Sequence, residues 1–143
     1  MQIKDWRENN ENPSNRNSRL YRLSLVPRIF FKKTNNMIDI ETIKSQIVKA
    51  LMPLEPEKII LFGSYAYGTP TEDSDLDICI TQKSISSKIK EKSTIRKALK
   101  NIKISKDILL ETTQYFLSHS DEKWINTALY DARHKGIVLY EQR

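Results

Sequence analysis

Two short apolar runs, Lys58–Phe62 and Leu76–Thr81, flank a loop rich in glycine, serine and aspartate. The first run is almost entirely apolar, as expected of a strand inside a sheet. The second alternates apolar residues with Asp75, Asp77 and Cys79, which therefore project from the opposite side of a strand. The chain is thus constrained to a sheet that has one packed face and one face bearing acid.

Apolar residues recur at helical spacing before and after these strands. They predict a mixed helix-and-sheet protein, of class α/β (α+β). The apolar spacing from Asp39 to Met52 predicts a first helix, with Asp39 as its N-cap and Pro53 at its end. The later elements are a helix capped by Ser86 or Ser87 that runs to about Asn101, a strand Ile104–Leu110, a helix near Asp121–Lys135 and a final strand Ile137–Tyr140. This order indicates a small mixed β-sheet flanked by helices.

The charge distribution divides the 143 residues into two parts. Residues 1–36 hold eight Lys/Arg against three acids, whereas residues 37–143 hold sixteen against fifteen. We predict a poorly ordered basic extension over 1–36 and one folded domain over 37–143. The extension is either a basic tether for RNA, DNA or a partner, or a dispensable segment. If translation naturally starts at Met37, residues 1–36 are not part of the native protein. The nearly neutral domain argues against nucleic acid as a partner.

Membrane insertion and disulfide bonding are not indicated. The apolar patch Leu20–Phe31 is too short and too charged to cross a bilayer. Cys79 is the only cysteine, so no intramolecular disulfide can form. We therefore predict a soluble protein of the reducing cytoplasm.

The acids of the loop point to metal chemistry. Asp75 and Asp77 are two residues apart on a predicted strand, so their Cα atoms are roughly 6.6–6.8 Å apart and both side chains share a face. Two carboxylates about 4 Å apart repel by ~4 kcal/mol at an effective dielectric constant near 20, and a cation removes this repulsion. Oxygen ligands suit Mg²⁺ or Mn²⁺. Asp107, on a plausible neighbouring strand, would be a third carboxylate, and three acids can hold two ions.

Gly63 and Ser64 follow the first strand directly and are suited to bind phosphate. A glycine lets the backbone approach a phosphate, and a serine hydroxyl with nearby N–H groups can hold it. A short helix after Gly63 would add a favourable dipole. Phosphate beside metal-binding acids is the arrangement used in phosphoryl or nucleotidyl transfer.

These residues resemble a known signature. The pattern of glycine and serine followed by serine, aspartate, any residue and aspartate is similar to that of the DNA polymerase β-like nucleotidyltransferase superfamily, and it is formed by Gly63, Ser64, Gly68, Ser74, Asp75 and Asp77. The stretch Met37–Glu141 as a whole resembles the minimal nucleotidyltransferases (MNT) that serve as antitoxins in HEPN/MNT toxin–antitoxin modules.

The resemblance implies a protein adenylyltransferase that uses ATP and two Mg²⁺ ions. Asp75 and Asp77 would hold the metals, and Asp107 would ligate the catalytic metal and help to deprotonate the acceptor hydroxyl. Gly63 and Ser64 would bind the β and γ phosphates. The acceptor would be a tyrosine of a cognate HEPN-type toxin, in a hetero-oligomer with that toxin, and pyrophosphate would leave.

Some assignments stay open. Ser74 belongs to the nucleotide-binding signature, but its expected part is to shape the turn before the strand. Tyr67 stands where many relatives carry an arginine, so a cation that could assist the triphosphate is absent from the loop. The alternatives to protein adenylylation are a non-catalytic antitoxin that neutralises its partner by contact, and transfer to a small molecule or to RNA. We assign no role to Cys79, His119 or His134.

Overall fold

The computed structural model describes residues 39–143, and the part from Ile40 to Arg143 forms one compact unit. The predicted basic extension, residues 1–36, lies outside the described residues, as do Met37 and Ile38. The boundary at residue 37 therefore stays a prediction. None of the described helices is long and apolar enough to cross a bilayer.

A four-stranded mixed sheet forms the centre of the unit, in the order β3-β2-β1-β4. Strand β1 is antiparallel to both β2 and β4, whereas β2 is parallel to β3. The strands are β1 (Lys58–Phe62), β2 (Leu76–Gln82), β3 (Lys106–Thr112) and β4 (Ile137–Glu141). The predicted α/β class with a small mixed sheet is confirmed.

Five α-helices connect or flank these strands within residues 39–143. They are α1 (Ile40–Leu51), α2 (Ser64–Tyr67), α3 (Lys88–Ala98), α4 (Thr113–Ser118) and α5 (Ala128–Lys135). Short 3₁₀ turns occur at Met52–Leu54 and Glu122–Trp124. The predicted first helix and the short helix after Gly63 are both confirmed.

The two faces of the sheet pack differently. On one face Ile59, Leu61 and Ile78 are fully buried, and α1 packs against α3 there. On the other face α4 and α5 cover a smaller cluster, formed by Ile60, Phe62, Cys79, Phe116 and Ala132. The second face is the one that carries Asp77, because opposed residues on neighbouring strands share a face and Phe62 is opposite Asp77.

The cap of α3 agrees with the sequence prediction. The Ser87 hydroxyl accepts a hydrogen bond from the Lys90 N–H at 3.3 Å. Glu91 reaches back and accepts from the N–H groups of Ser86 and Ser87 at 2.9 and 3.3 Å. The two exchanges satisfy N–H groups that a helix start would otherwise leave unpaired.

Strand β3 begins two residues later than predicted, at Lys106 instead of Ile104. The Lys106 ammonium donates to the carbonyl groups of Ile102 and Ile104, at 2.6 and 2.8 Å. These bonds hold residues 102–105 in a loop, and pairing with β2 starts only afterwards. Ile104 is apolar but lies in the loop before the strand, so its assignment to the strand is wrong.

The segment predicted as one helix near Asp121–Lys135 is divided in the structure. A 3₁₀ turn ends at Trp124, and Asn126 takes a left-handed conformation with φ of 72°. Thr127 then caps α5 by accepting from the Tyr130 N–H at 3.2 Å. Helix α4 was not predicted, because the six residues Thr113–Ser118 bury only Phe116 and so show no helical period.

Candidate active site

Gly63 follows β1 and has a backbone conformation that residues with a side chain rarely adopt. Its φ of 75° and ψ of −159° lie in a region occupied essentially by glycine. A Cβ atom built here would lie 2.0 Å from Oδ2 of Asp77, so the backbone of Gly63 and the Asp77 carboxylate are in close approach. The glycine and the aspartate of the predicted signature thus meet in space.

Three carboxylates gather around this point. Asp77 and Asp107 are directly opposite each other in the parallel pairing of β2 and β3, and Asp75 immediately precedes β2. Burial raises the pKa of Asp77, and the negative charges of Asp107 and then Asp75 raise it further. Asp75 and Asp107 are exposed and Asp77 is partly buried. The structure therefore brings together the three acids that the sequence singled out.

The donor set suits a hard divalent cation that substrate and water help to bind. Within residues 39–143 no three His, Cys, Asp or Glu side chains converge closely enough to enclose an ion by themselves. Mg²⁺ usually takes one or two protein carboxylates and completes its shell with water and substrate phosphate, so a full protein cage is not required. Burial is the main cause of the raised pKa of Asp77, and a bound cation would relieve the repulsion by Asp107 and Asp75 that raises this pKa further.

Ser64 and Ser74 occupy different positions relative to the acids. Ser64 is the first residue of α2, whose N–H groups at Ala66 and Tyr67 donate to the Gly63 carbonyl at 2.9 and 3.1 Å. Ser74 is engaged in a turn: its hydroxyl accepts from the Thr71 N–H at 2.8 Å, and its N–H donates to the Thr71 carbonyl at 3.1 Å. Ser64 is thus placed beside Gly63, whereas Ser74 shapes the approach to β2.

Two residues near the site were not found from the sequence. Tyr65 is buried, and its pKa is raised by that burial and also by the nearby charge of Asp75. Lys135, at the end of α5, places Nζ 5.9 Å from the ring centroid of Tyr67. A tyrosine that follows Ser64 carries no recognisable signal, and the approach of Lys135 depends on how α5 packs.

Cys79, His119 and His134 lie outside the acid cluster. Burial raises the pKa of the Cys79 thiol to about 12, with a further contribution from Glu111. The His119 ring stacks on Tyr115 at 3.8 Å, and the His134 ring stacks on Tyr130 at 4.2 Å. Cys79 is therefore a buried core residue, whereas His119 is partly buried and His134 is exposed.

The chain matches a known sequence family and one curated protein. The match to the nucleotidyltransferase domain family covers residues 40–133. A protein of Methanocaldococcus jannaschii named "Putative protein adenylyltransferase MJ0141" is 36% identical over 75 residues, which are 52% of this chain and 69% of that protein.

Several solved structures have a similar fold. A mutant of the MntA–HepT toxin–antitoxin pair matches 70% of this chain and 74% of its own at 18% identity, with a TM-score of 0.52. A toxin–antitoxin structure with AMP-PNP gives the same coverage and TM-score at 21% identity. An MNT antitoxin in complex with the tri-AMPylated HEPN toxin of Shewanella oneidensis matches 73% of this chain and 74% of its own, at 18% identity and a TM-score of 0.50. The chain therefore has the polymerase β-like nucleotidyltransferase fold, as the resemblance implied.

Proposed function

The chain belongs to the nucleotidyltransferase domain family, and from this premise we propose that it transfers AMP from ATP to a tyrosine of a HEPN-type toxin and so acts as that toxin's antitoxin. The predicted enzyme class, a nucleotidyltransferase, is confirmed by the family match and the curated relative. The observation that supports catalysis by this chain is the meeting of Asp77, Asp107 and Gly63 at one end of the sheet, while support for a protein acceptor comes from the relatives.

The residues divide the proposed reaction among them. Gly63 and Ser64 would bind the β and γ phosphates, and Asp75 and Asp77 would hold Mg²⁺. Mg²⁺, when bound, would supply Lewis-acid chemistry at the reacting phosphates. Asp107 accepts the proton of the acceptor hydroxyl, whose oxygen forms a bond to the α-phosphorus. The bond between the α-phosphorus and the bridging oxygen breaks, and pyrophosphate leaves.

A protein acceptor is supported by the relatives. The curated relative is named "Putative protein adenylyltransferase MJ0141", and one solved neighbour is an MNT antitoxin bound to a tri-AMPylated HEPN toxin. Another neighbour was solved with AMP-PNP, an ATP analogue. RNA is disfavoured as an acceptor by the charge of residues 37–143, which carry sixteen basic residues against fifteen acids.

Label transfer from α-phosphate-labelled ATP to the co-purified partner tests the proposal. With Mg²⁺ present, we expect label on the partner with the wild type and none with an Asp75→Asn, Asp77→Asn double variant. A Glu72→Gln, Asp73→Asn double variant is the matched control, because it removes two exposed charges from the same loop and should keep the activity. Absence of label with each of the four nucleotides, while the partner is still neutralised, would contradict catalysis.

Contact inhibition is the second candidate function, and an exposed apolar surface favours it. Tyr115, Leu117, Trp124 and Ile125 are exposed on α4 and on the segment that follows it. A partner that covers this surface could be neutralised with no chemistry. Toxin neutralisation in cells separates the two candidates, since contact inhibition should survive the Asp75→Asn, Asp77→Asn change and adenylylation should not.

A further inference from the structure

The segment proposed to bind the triphosphate supplies no positive charge of its own. Residues 63–78 contain no lysine or arginine, and they contain Glu72, Asp73, Asp75 and Asp77. A triphosphate at Gly63 would add further negative charge at the same place. Besides Mg²⁺, a cation from another part of the chain would therefore favour the nucleotide electrostatically.

Lys135 is brought to this segment by the packing of α5. The next residue, Gly136, is so close to β1 that an added Cβ would lie 2.5 Å from Cγ2 of Ile60 and 3.1 Å from the Leu61 carbonyl oxygen. The end of α5 is thus held against the strand that leads into Gly63. From there the Lys135 ammonium lies 5.9 Å from the ring centroid of Tyr67, the last residue of α2.

The contacts of Lys135 keep the ammonium near Tyr67 and still leave it able to bind a ligand. Its Nζ atom is 3.4 Å from Oδ1 of Asp131, a pair one helical turn apart, and the lysine side chain is 55% exposed. A cation–π contact and an ion pair at an exposed site are both weak. A lysine also has a flexible stem and three donors, so the ammonium can turn toward a phosphate.

We propose that Lys135 is a nucleotide-binding residue that contacts the phosphates of a nucleotide held at Gly63 and Ser64, with Tyr67 as the residue that positions it. This inference rests on the proposed nucleotidyl transfer. It assigns to α5 the positive charge that the loop itself does not contain. Tyr67 then has a part of its own, because its ring contacts the lysine while its N–H donates to the Gly63 carbonyl at 3.1 Å.

Calorimetry tests this proposal. It measures how tightly a non-hydrolysable ATP analogue binds to the full chain in the presence of Mg²⁺. We expect Lys135→Ala and Lys135→Gln to weaken binding roughly tenfold or more, the usual effect of losing a hydrogen bond between charged groups. Lys135→Arg should restore most of the affinity. Tyr67→Ala should give a smaller loss and Tyr67→Phe none, since the ring and not the hydroxyl faces the ammonium.

Lys88 provides a closely matched control. Its Nζ atom is 6.0 Å from the Tyr115 ring centroid and 2.8 Å from Oε1 of Glu111, and its side chain is 51% exposed. Lys88→Ala therefore removes the same kinds of contact away from Gly63, and it should leave nucleotide affinity unchanged. AMP, which lacks the β and γ phosphates, should bind the wild type and Lys135→Ala equally.

The outcomes separate this inference from the function on which it rests. If the wild type binds the analogue and both Lys135 variants bind it equally well, the role of Lys135 is wrong while nucleotidyl transfer stands. If the wild type binds no nucleotide, both fail. In label transfer, loss of Lys135 should raise the KM for ATP more than it lowers kcat, and thermal melting should show that the variants remain folded.

Discussion

Substitution of Gly63 by alanine tests whether the end of β1 and the Asp77 carboxylate form one structural unit. The backbone angles of Gly63, φ of 75° and ψ of −159°, cost about 1–3 kcal/mol for a residue with a side chain. The new Cβ would also lie 2.0 Å from Oδ2 and 2.9 Å from Cγ of Asp77. Rotating that side chain away costs roughly 0.5–1.5 kcal/mol more. We expect Gly63→Ala to lower the free energy of unfolding by about 2–4 kcal/mol.

Urea denaturation of four proteins separates the two contributions. The set is the wild type, Gly63→Ala, Asp77→Ala and the double variant, from which the coupling energy follows. Asp77→Ala removes the obstructing carboxylate, so Gly63→Ala should then cost only the backbone contribution, and the coupling should be about 1 kcal/mol. Asp107→Ala is the matched control and should show no coupling, since the three atoms nearest to the added Cβ all belong to Asp77.

The reasoning about Gly63 would be refuted by either of two results. If Gly63→Ala has the same free energy of unfolding as the wild type, the end of the strand can relax at no cost. A stability loss of the same size with and without Asp77 would mean that the carboxylate does not restrict this position.

Three further predictions concern charge, reactivity and capping. Asp77→Asn should raise the free energy of unfolding at pH 7 by about 1 kcal/mol, because it removes a partly buried charge and also its repulsion by two exposed carboxylates, for which the water-like end of the Coulomb range applies. The pKa of Asp77 is raised on folding, so the charged form destabilises the folded state. The gain in stability of Asp77→Asn should therefore be absent well below pH 4 and appear as the pH rises from about 4 through the raised pKa. Denaturation curves measured across that range check this. Cys79, whose pKa is about 12, should not react with a maleimide at pH 8 in the native protein but should react fully in denaturant; fast native labelling would contradict its burial. Ser87→Ala should cost about 1 kcal/mol through loss of the α3 cap, while Ser93→Ala on the exposed side of that helix should have little effect; equal melting temperatures for the two variants would argue against the cap.

Local sequence pattern determined much of this fold. The apolar run of β1, the alternation of β2 and the serine before α3 each encode a conformation through neighbouring residues, and the structure has all three. Helix α4 and the break at Asn126 were missed, because their stability comes from contacts such as the burial of Phe116 and not from a repeat along the chain. The start of β3 was misplaced since Ile104 is apolar but lies in a loop.

The candidate site shows the same division. The sequence by itself grouped Gly63, Ser64, Asp75 and Asp77 in one short stretch and indicated that the two acids share a side, because the two-residue period of a strand is a local property. Only the tertiary structure decided that Asp107 is opposite Asp77 and that Lys135 lies against Tyr67. Strand register and helix placement depend on side chains that pack across the sheet between distant parts of the chain, and no pattern within a single segment specifies them.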